Sequence, residues 1–317
     1  MELKARGVNG VVGTSSKFKR IKMNLFKNWQ LYCFLLPALL YFAIFSYIPM
    51  YGIQIAFKDY YANLGFWDSP WVGFAHFERF FDSYFFWRLL KNTLMLSLYQ
   101  LLLFPIPILF ALSLNELKNG AFKKWSQTLT YAPHFISAVV VVGMMIAFLD
   151  PVTGLVNHVI VKLGGESIPF LTSPDWFRHI FVWSGQWQSL GWSTIIYLAA
   201  LAGVSPEQLE AAKIDGATRF QRIVHINLPS IMPTIVILFI LNIGSFMAIG
   251  FEKVLLLQNS LNSGTSDIIQ TFVYKTGLLE GQYSFSTAVG LFESIINIIL
   301  LVTVNQIAKK VSENSLW

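Results

Sequence analysis

Apolar residues in this chain run on without interruption instead of alternating with polar ones. Asp, Glu, Lys and Arg are absent from 28–57, 92–115, 125–149, 179–206 and 223–251, and Glu293 alone breaks 281–308. Each run is longer than the roughly 20 residues a helix needs to cross a bilayer. A soluble core is also apolar, but its helices rarely keep such runs six times over. Uninterrupted apolar character selects helices over barrel strands, which alternate faces and are about ten residues long. The pattern therefore predicts an all-α integral membrane protein with six spans, near 29–57, 92–115, 125–149, 179–203, 228–251 and 284–308.

Composition agrees. Of 317 residues 55% are hydrophobic and only 13% charged, against about a quarter in a soluble domain. The single cysteine, Cys33, falls inside the first span, which excludes an intrachain disulfide and thiolate metal clusters. Residues 1–28 form a basic tail, with Lys4, Arg6, Lys17, Lys19, Arg20, Lys22 and Lys27 against Glu2. The apolar run that follows is too long for a secretory signal and no small-residue cleavage site closes it, so it reads as a retained first span.

Charge then sets the expected orientation. With both termini inside, the inner segments, including the tail 309–317, hold fifteen Lys and Arg. The longer outer loops hold Lys58, Arg79, Arg88, Lys162, Arg178, Lys253 and Lys275, with Lys91 at a boundary. This asymmetry follows the positive-inside rule and explains the basic balance without nucleic acid. In the first outer loop, Phe77, Phe80, Phe81, Tyr84, Phe85, Phe86 and Trp87 are spaced as on a helix along the membrane surface. An interfacial aromatic belt and a carbohydrate-stacking platform both fit that spacing.

Between the fourth and fifth spans lies the polar stretch "EAAKIDGATRFQRIVHINLP", residues 210–229. Ser205, Pro206 and Gln208 predict a capped helix start, and Glu207 and Glu210 suit its first turns. Gly216 ends or bends that helix, and Thr218 with Gln221 predicts a second capped start. Phe220, Ile223 and Val224 give the second helix an apolar face, and Pro229 and Pro233 mark the start of the fifth span. The product is a bent knob facing the cytoplasm. From local physics alone, an inert connecting loop remains open.

No G-x-x-x-x-G-K-[ST] loop occurs; "GTSSK" from Gly13 lacks the second glycine. His76, His134, His158, His179 and His225 are scattered without metal-ligand spacing, and no nucleophile arrangement is seen.

The register Glu-Ala-Ala, three residues, Gly, nine residues, Ile-x-Leu-Pro resembles that of permease subunits of binding-protein-dependent ABC importers, and Glu210, Ala211, Ala212, Gly216, Ile226, Leu228 and Pro229 match it. The resemblance, which extends from about residue 31 to the end, implies the type I (maltose-permease-like) ABC importer transmembrane domain. It makes the loop 205–228 the coupling helix that docks on a separate ATPase. By position Gly216 then supplies the turn, Ala211 and Ala212 close packing, and Glu210 and Asp215 polar contacts, with Arg219 and Phe220 on the second short helix. "LPALLYFAIFSYIPMYGIQIAFKDY", "YAPHFISAVVVVGMMIAFLDPVTGLVN" and "GFEKVLLLQNSLN" resemble the subgroup that imports complex oligosaccharides, such as pectin, alginate or uronate fragments, in bacteria.

Polar side chains inside spans are expensive and hence candidates for a wet cavity. Gln188, Ser189 and Trp192 fall within about one turn and offer an amide, a hydroxyl and an indole to a sugar. The resemblance places them where maltose-type permeases hold sugar, and Asn242 and Ser245 in the comparable part of the fifth span, although most side chains there differ. Small-residue helix packing is the alternative at Gly244 and Ser245. Glu293 is the one carboxylate well inside a span, either a sugar or gate contact or a polar contact with a partner permease.

The expected protein is thus a multi-pass subunit of the bacterial cytoplasmic membrane, surrounded by lipid. Its partners would be a second permease or a second copy, two ATP-binding subunits that hold ATP and Mg, an extracytoplasmic solute-binding protein and an oligosaccharide. It needs no cofactor of its own. A membrane enzyme using Asp59, Asp68, Glu78 and Asp82, or a channel or sensor without ATP, are the other classes; both leave 210–229 unexplained.

Overall fold

A computed structural model of the chain describes residues 27–118 and 120–311. The expected basic tail lies outside them apart from residues 27 and 28, as does the end beyond 311. The chain forms two units, up to Gln54 and from Ile55 onward. The first unit carries α1 (Trp29–Phe42), which stays helical through Ala43–Tyr47 and Ile48–Met50 and buries none of its side chains. So apolar a surface suits a bilayer, not water.

The second unit is also helical, and among the described residues its one β-bridge joins Lys58 and Trp71. Its elements are α2 (Ala75–Phe81), α3 (Phe86–Leu102), α4 (Pro105–Asn115), α5 (Ala121–Tyr131), α6 (Ala138–Leu149), α7 (Leu155–Lys162) and α8 (Pro174–Leu201). There follow α9 (Pro206–Ile214), α10 (Arg219–Arg222), α11 (Leu228–Gly244), α12 (Phe251–Leu257), α13 (Ile269–Tyr274) and α14 (Tyr283–Val311).

Among the described residues four continuous helical runs are long and apolar enough to cross a membrane: Trp29–Phe57, Phe86–Asn115, Arg219–Gly244 and Tyr283–Lys310. The count reaches six when each of two bent pairs is taken as one span. The span expected near 125–149 falls in one of these pairs, bent by 101° between Ala121–Phe135 and Ala138–Leu149. Its apolar composition hides the break; Pro133 falls in the tight turn before it, and Ser137 caps the new start by accepting from Val140 N. The second bend, 78°, separates α8 from α9. Pro233 falls inside α11, one turn later than the span boundary expected for it, while Pro229 occupies the first turn.

Packing follows the small residues and the aromatics. One core joins α4, α8 and α11 through Ile108, Ala111, Leu112, Tyr197, Leu201 and Ile231. Gly191 lets α8 approach α5 so closely that an added Cβ would lie 2.3 Å from the Thr130 carbonyl oxygen, the contact that drives helix association where lipid is as apolar as the side chains. Gly244 packs in the same way on Leu301 of α14. The first-loop aromatics divide. Phe77 and Phe80 are buried, Phe80 with its ring 5.2 Å from Phe86 and 5.5 Å from Phe292, whereas Tyr84 and Trp87 are exposed. A continuous surface belt is therefore not what this run forms, because α2 lies against α14 and turns Phe77 and Phe80 into core.

Candidate functional site

A cavity of about 540 Å³ opens between α3, α4, α8 and α11. Along α8, Ser189 lies four residues after Gly185, and Trp192 and Ser193 lie three and four after Ser189, so the four share a face, and all of them line the cavity. Gln186 of α8, Gln100 of α3 and Asn242 with Ser245 at the end of α11 complete the polar wall. The Trp192 ring is stacked on His134, with centroids 4.4 Å apart and planes 3° apart. This fixes the indole from the tight turn Ala132–Phe135 that follows α5. Ser189 Oγ donates to the Gly185 carbonyl at 2.9 Å and Ser245 Oγ to the Asn242 carbonyl at 3.2 Å. Both hydroxyl oxygens keep acceptor capacity. Gln186 Nε2 is enclosed and has no hydrogen-bond partner among the described residues, an open donor that costs free energy unless something occupies it.

Four of the six residues chosen as substrate contacts thus come together: Ser189, Trp192, Asn242 and Ser245. Gln188 lies one residue round the helix. Its Nε2 donates to the Ile136 carbonyl at 2.6 Å, and it lines an adjoining cavity of about 260 Å³ that shares Gln100 and Gly185 with the first. Glu293 lines neither; it is 7% exposed and accepts from Gln270 Nε2 at 3.0 Å. Gln186 and Ser193 went unnoticed in the sequence, although both sit a helical turn from Ser189. Gln100 had the same signal as every polar residue in an apolar run.

The second site is the hairpin from Ser205 to Asn227. Ser205 Oγ accepts from Gln208 N at 3.5 Å and α9 runs to Ile214. Gly216, at φ +77°, then reverses the chain. Ala217 N donates to the Ala212 carbonyl and Gly216 N to the Lys213 carbonyl, at 2.9 and 3.1 Å, which closes the helix end as a Schellman turn. Thr218 and Gln221 exchange both bonds of a capping box. Arg222 donates to the Ala217 carbonyl and pairs with Glu116 at 3.4 Å; Asn227 also donates to Glu116. Glu116, just past α4, thereby ties the hairpin to the helix that carries Pro107 in the cavity wall. A π turn, Ile223–Asn227, leads into α11 and holds Ile226, with Leu228 and Pro229 beyond it.

The knob is rigid in its backbone and sticky at its tip. Ile214 is 86% and Phe220 73% exposed, and Glu210, Ala211, Asp215 and Arg219 are exposed around them. Apolar side chains displayed on a rigid polar loop make the hairpin a candidate docking surface. Ile214 was missed in the sequence; its signal was an apolar residue between Lys213 and Asp215.

A helical membrane domain with a polar cavity between its helices and a rigid exposed knob defines a transport subunit built to be moved by a partner. Residues 103–313 match the family model of the binding-protein-dependent transport system inner membrane component, and the chain belongs to that family. It is 51% identical to Protein LplB of Bacillus subtilis over 288 residues, 90% of this chain and 91% of that one. It is 46% identical to the polygalacturonan/rhamnogalacturonan transport system permease protein YteP of the same organism, over 100% of this chain and 99% of the relative. The crystal structure of a bacterial ABC transporter involved in the import of the acidic polysaccharide alginate contains a chain 40% identical, with a TM-score of 0.85, covering 92% of this chain and 99% of that chain. A second, of the bacterial alginate ABC transporter in complex with alginate pentasaccharide-bound periplasmic protein, gives 39% and 0.86, covering 94% and 100%. The type I importer fold and the permease assignment expected from the 210–229 register are borne out. The chain is an integral membrane permease subunit, which sets aside the membrane enzyme and the uncoupled channel.

Proposed function

We propose that this permease carries oligosaccharide fragments of acidic polysaccharides, such as pectin, alginate or uronate oligomers, into the cell by ATP-driven alternating access. The observation that carries the reading is the cavity wall, where a fixed indole stands among amides and hydroxyls, the chemistry a sugar needs for its ring face and its hydroxyl groups. The names of YteP and of the alginate transporter agree with it.

In this scheme both termini lie in the cytoplasm, by the charge asymmetry above. A second permease completes the pathway, a loaded solute-binding protein docks outside, and two ATPase subunits that bind ATP and Mg sit below. The hairpin receives their closure through Ile214, Phe220 and the exposed polar residues from Glu210 to Arg219. Glu116 passes the movement to α4 and the π turn passes it to α11, so that both reach walls of the cavity. Ser189, Trp192, Asn242 and Ser245 contact the sugar, Gln188 reaches it from the adjoining cavity, and Glu293 holds α14 to α13 through Gln270.

The test is uptake of radiolabelled trigalacturonate, with maltotriose as the neutral comparison, by proteoliposomes holding the complete importer. ATP-dependent accumulation of trigalacturonate supports the reading; accumulation of maltotriose alone overturns it.

A further inference from the structure

The smaller cavity contains a charge that the transport scheme has not used. The left-handed Gly250, at φ +94°, turns the chain after α11 into α12, and α12 places Lys253 against α8. Lys253 is 8% exposed. Its Nζ donates to the Phe181 carbonyl at 3.3 Å and stands 5.5 Å from the Phe181 ring centroid. That carbonyl occupies one of the ammonium's three donors. The ion pairs among the described residues join Arg88 and Lys275 to Asp267 and Arg222 to Glu116; none reaches Lys253. Glu252 lines the same cavity but is exposed, where water screens it. A buried ammonium without an anion is costly, and the cost is recovered when one arrives.

We infer that Lys253 is the carboxylate-recognising residue of this transporter, its ammonium receiving a uronate carboxylate in the smaller cavity and thereby setting a preference for acidic over neutral sugars. The inference rests on the oligosaccharide reading above and names the group that selects within it. Open volume adjoins the ammonium: Lys253 and Gly185 both line the cavity of about 260 Å³, and a Cβ added at Gly185 would lie 3.6 Å from Lys253 Nζ, in ordinary contact with it. Gln100 and Gln188 line the same walls with their Nε2 groups donating to the Ile249 and Ile136 carbonyls, which leaves their amide oxygens to accept from the hydroxyls of the same sugar residue. Gln100 and Gly185 belong to both cavities, so the Trp192 wall and the Lys253 ammonium flank adjoining spaces. Burial lowers the Lys253 ammonium to about 8, and at neutral pH it still carries its proton.

The experiment uses the complete importer in proteoliposomes, saturated with its solute-binding protein, and trigalacturonate as the probe. Lys253→Met is expected to cut uptake by about tenfold or more, as loss of a charged hydrogen bond does, and Lys253→Arg to keep it within about threefold. Gly185→Asp, which builds a carboxylate against the ammonium, is expected to fall about tenfold below its neutral isostere Gly185→Asn, and this pair decides the matter even where Lys253→Met does not assemble. Wild-type uptake with Lys253→Met unchanged, or with Gly185→Asp equal to Gly185→Asn, overturns the assignment of Lys253 alone. Wild-type importer that takes up maltotriose and no trigalacturonate overturns the acidic-sugar reading and this inference with it.

Discussion

The hairpin and the cavity are built by opposite means. Within Ser205–Asn227 nearly every stabilising bond connects residues five or fewer positions apart: the Ser205 and Thr218 caps, the Schellman turn at Gly216, and the Arg222 bond to Ala217. The cavity draws its wall from residues as distant as Gln100 and Ser245, and its indole is held by His134 from a different helix. On the proposed function this difference has a reason: a part that delivers force against a separate subunit has to be stiff on its own, and a part that opens to either side of a membrane has to be assembled from helices able to move apart.

The sharpest way to break this contrast is at Gly216. Gly216→Val faces open space, so only the left-handed backbone is penalised, by about 1–3 kcal/mol for a β-branched residue. ATP-dependent uptake should vanish while the permease still inserts and is recovered from membranes at wild-type level; Gly216→Asn, which tolerates this conformation, should restore part of it. Unimpaired uptake by Gly216→Val would show that the knob's shape is not what couples the two subunits.

Next comes the tip. Removing both large apolar side chains, Ile214→Ala with Phe220→Ala, should weaken co-purification of the ATPase by about tenfold to a hundredfold, the scale of interface hot spots. Substrate affinity measured on the purified permease should not change. A shift in affinity instead would join the two regions more tightly than their construction implies.

A pH titration probes the cavity side. With Lys253 lowered to about 8 by burial, its charged form is dominant below that value and lost above it. Binding of trigalacturonate should therefore fall roughly fivefold to tenfold between pH 7 and pH 9, and the fall should be absent in Lys253→Met. Glu252 lines the same cavity, and Tyr274 of α13 packs its ring 5.2 Å from Phe251 beside it; Glu252→Gln and Tyr274→Phe should leave the titration in place.

Trp192→Ala should raise the apparent KM for uptake about threefold to tenfold, the value of one ring stack, with a smaller loss from Trp192→Phe. The smallest effect is expected at Glu293→Gln, less than about twofold on uptake, because the new amide still offers an oxygen to Gln270. A large loss there would bring Glu293 back as a substrate or partner contact.

How far each region could be read from the chain follows from the same contrast. Ser205, Thr218 and Gly216 announce their conformations because caps and left-handed turns are decided by neighbours in sequence. The 101° break after Phe135 does not, because an apolar run reads alike whether it crosses in one rod or two. Phe80 and Tyr84 look equivalent in a string of aromatics, yet only Phe80 meets Phe86, Phe292 and Phe285. Lys253 reads as an ordinary outer-loop lysine until α12 folds it onto Phe181.

By itself the sequence determined that the chain is helical and membrane-embedded, that a capped and bent knob lies between 205 and 228, and which importer family its register resembles. These depend on hydropathy and on bonds between residues a few positions apart. Only the tertiary structure decided that Ser189, Trp192, Asn242 and Ser245 share one cavity, that Glu293 does not line it, and that a nearly buried ammonium stands beside it. Such facts arise when distant helices pack, and the fit of Gly191 on Thr130 or Gly244 on Leu301 sets which faces meet.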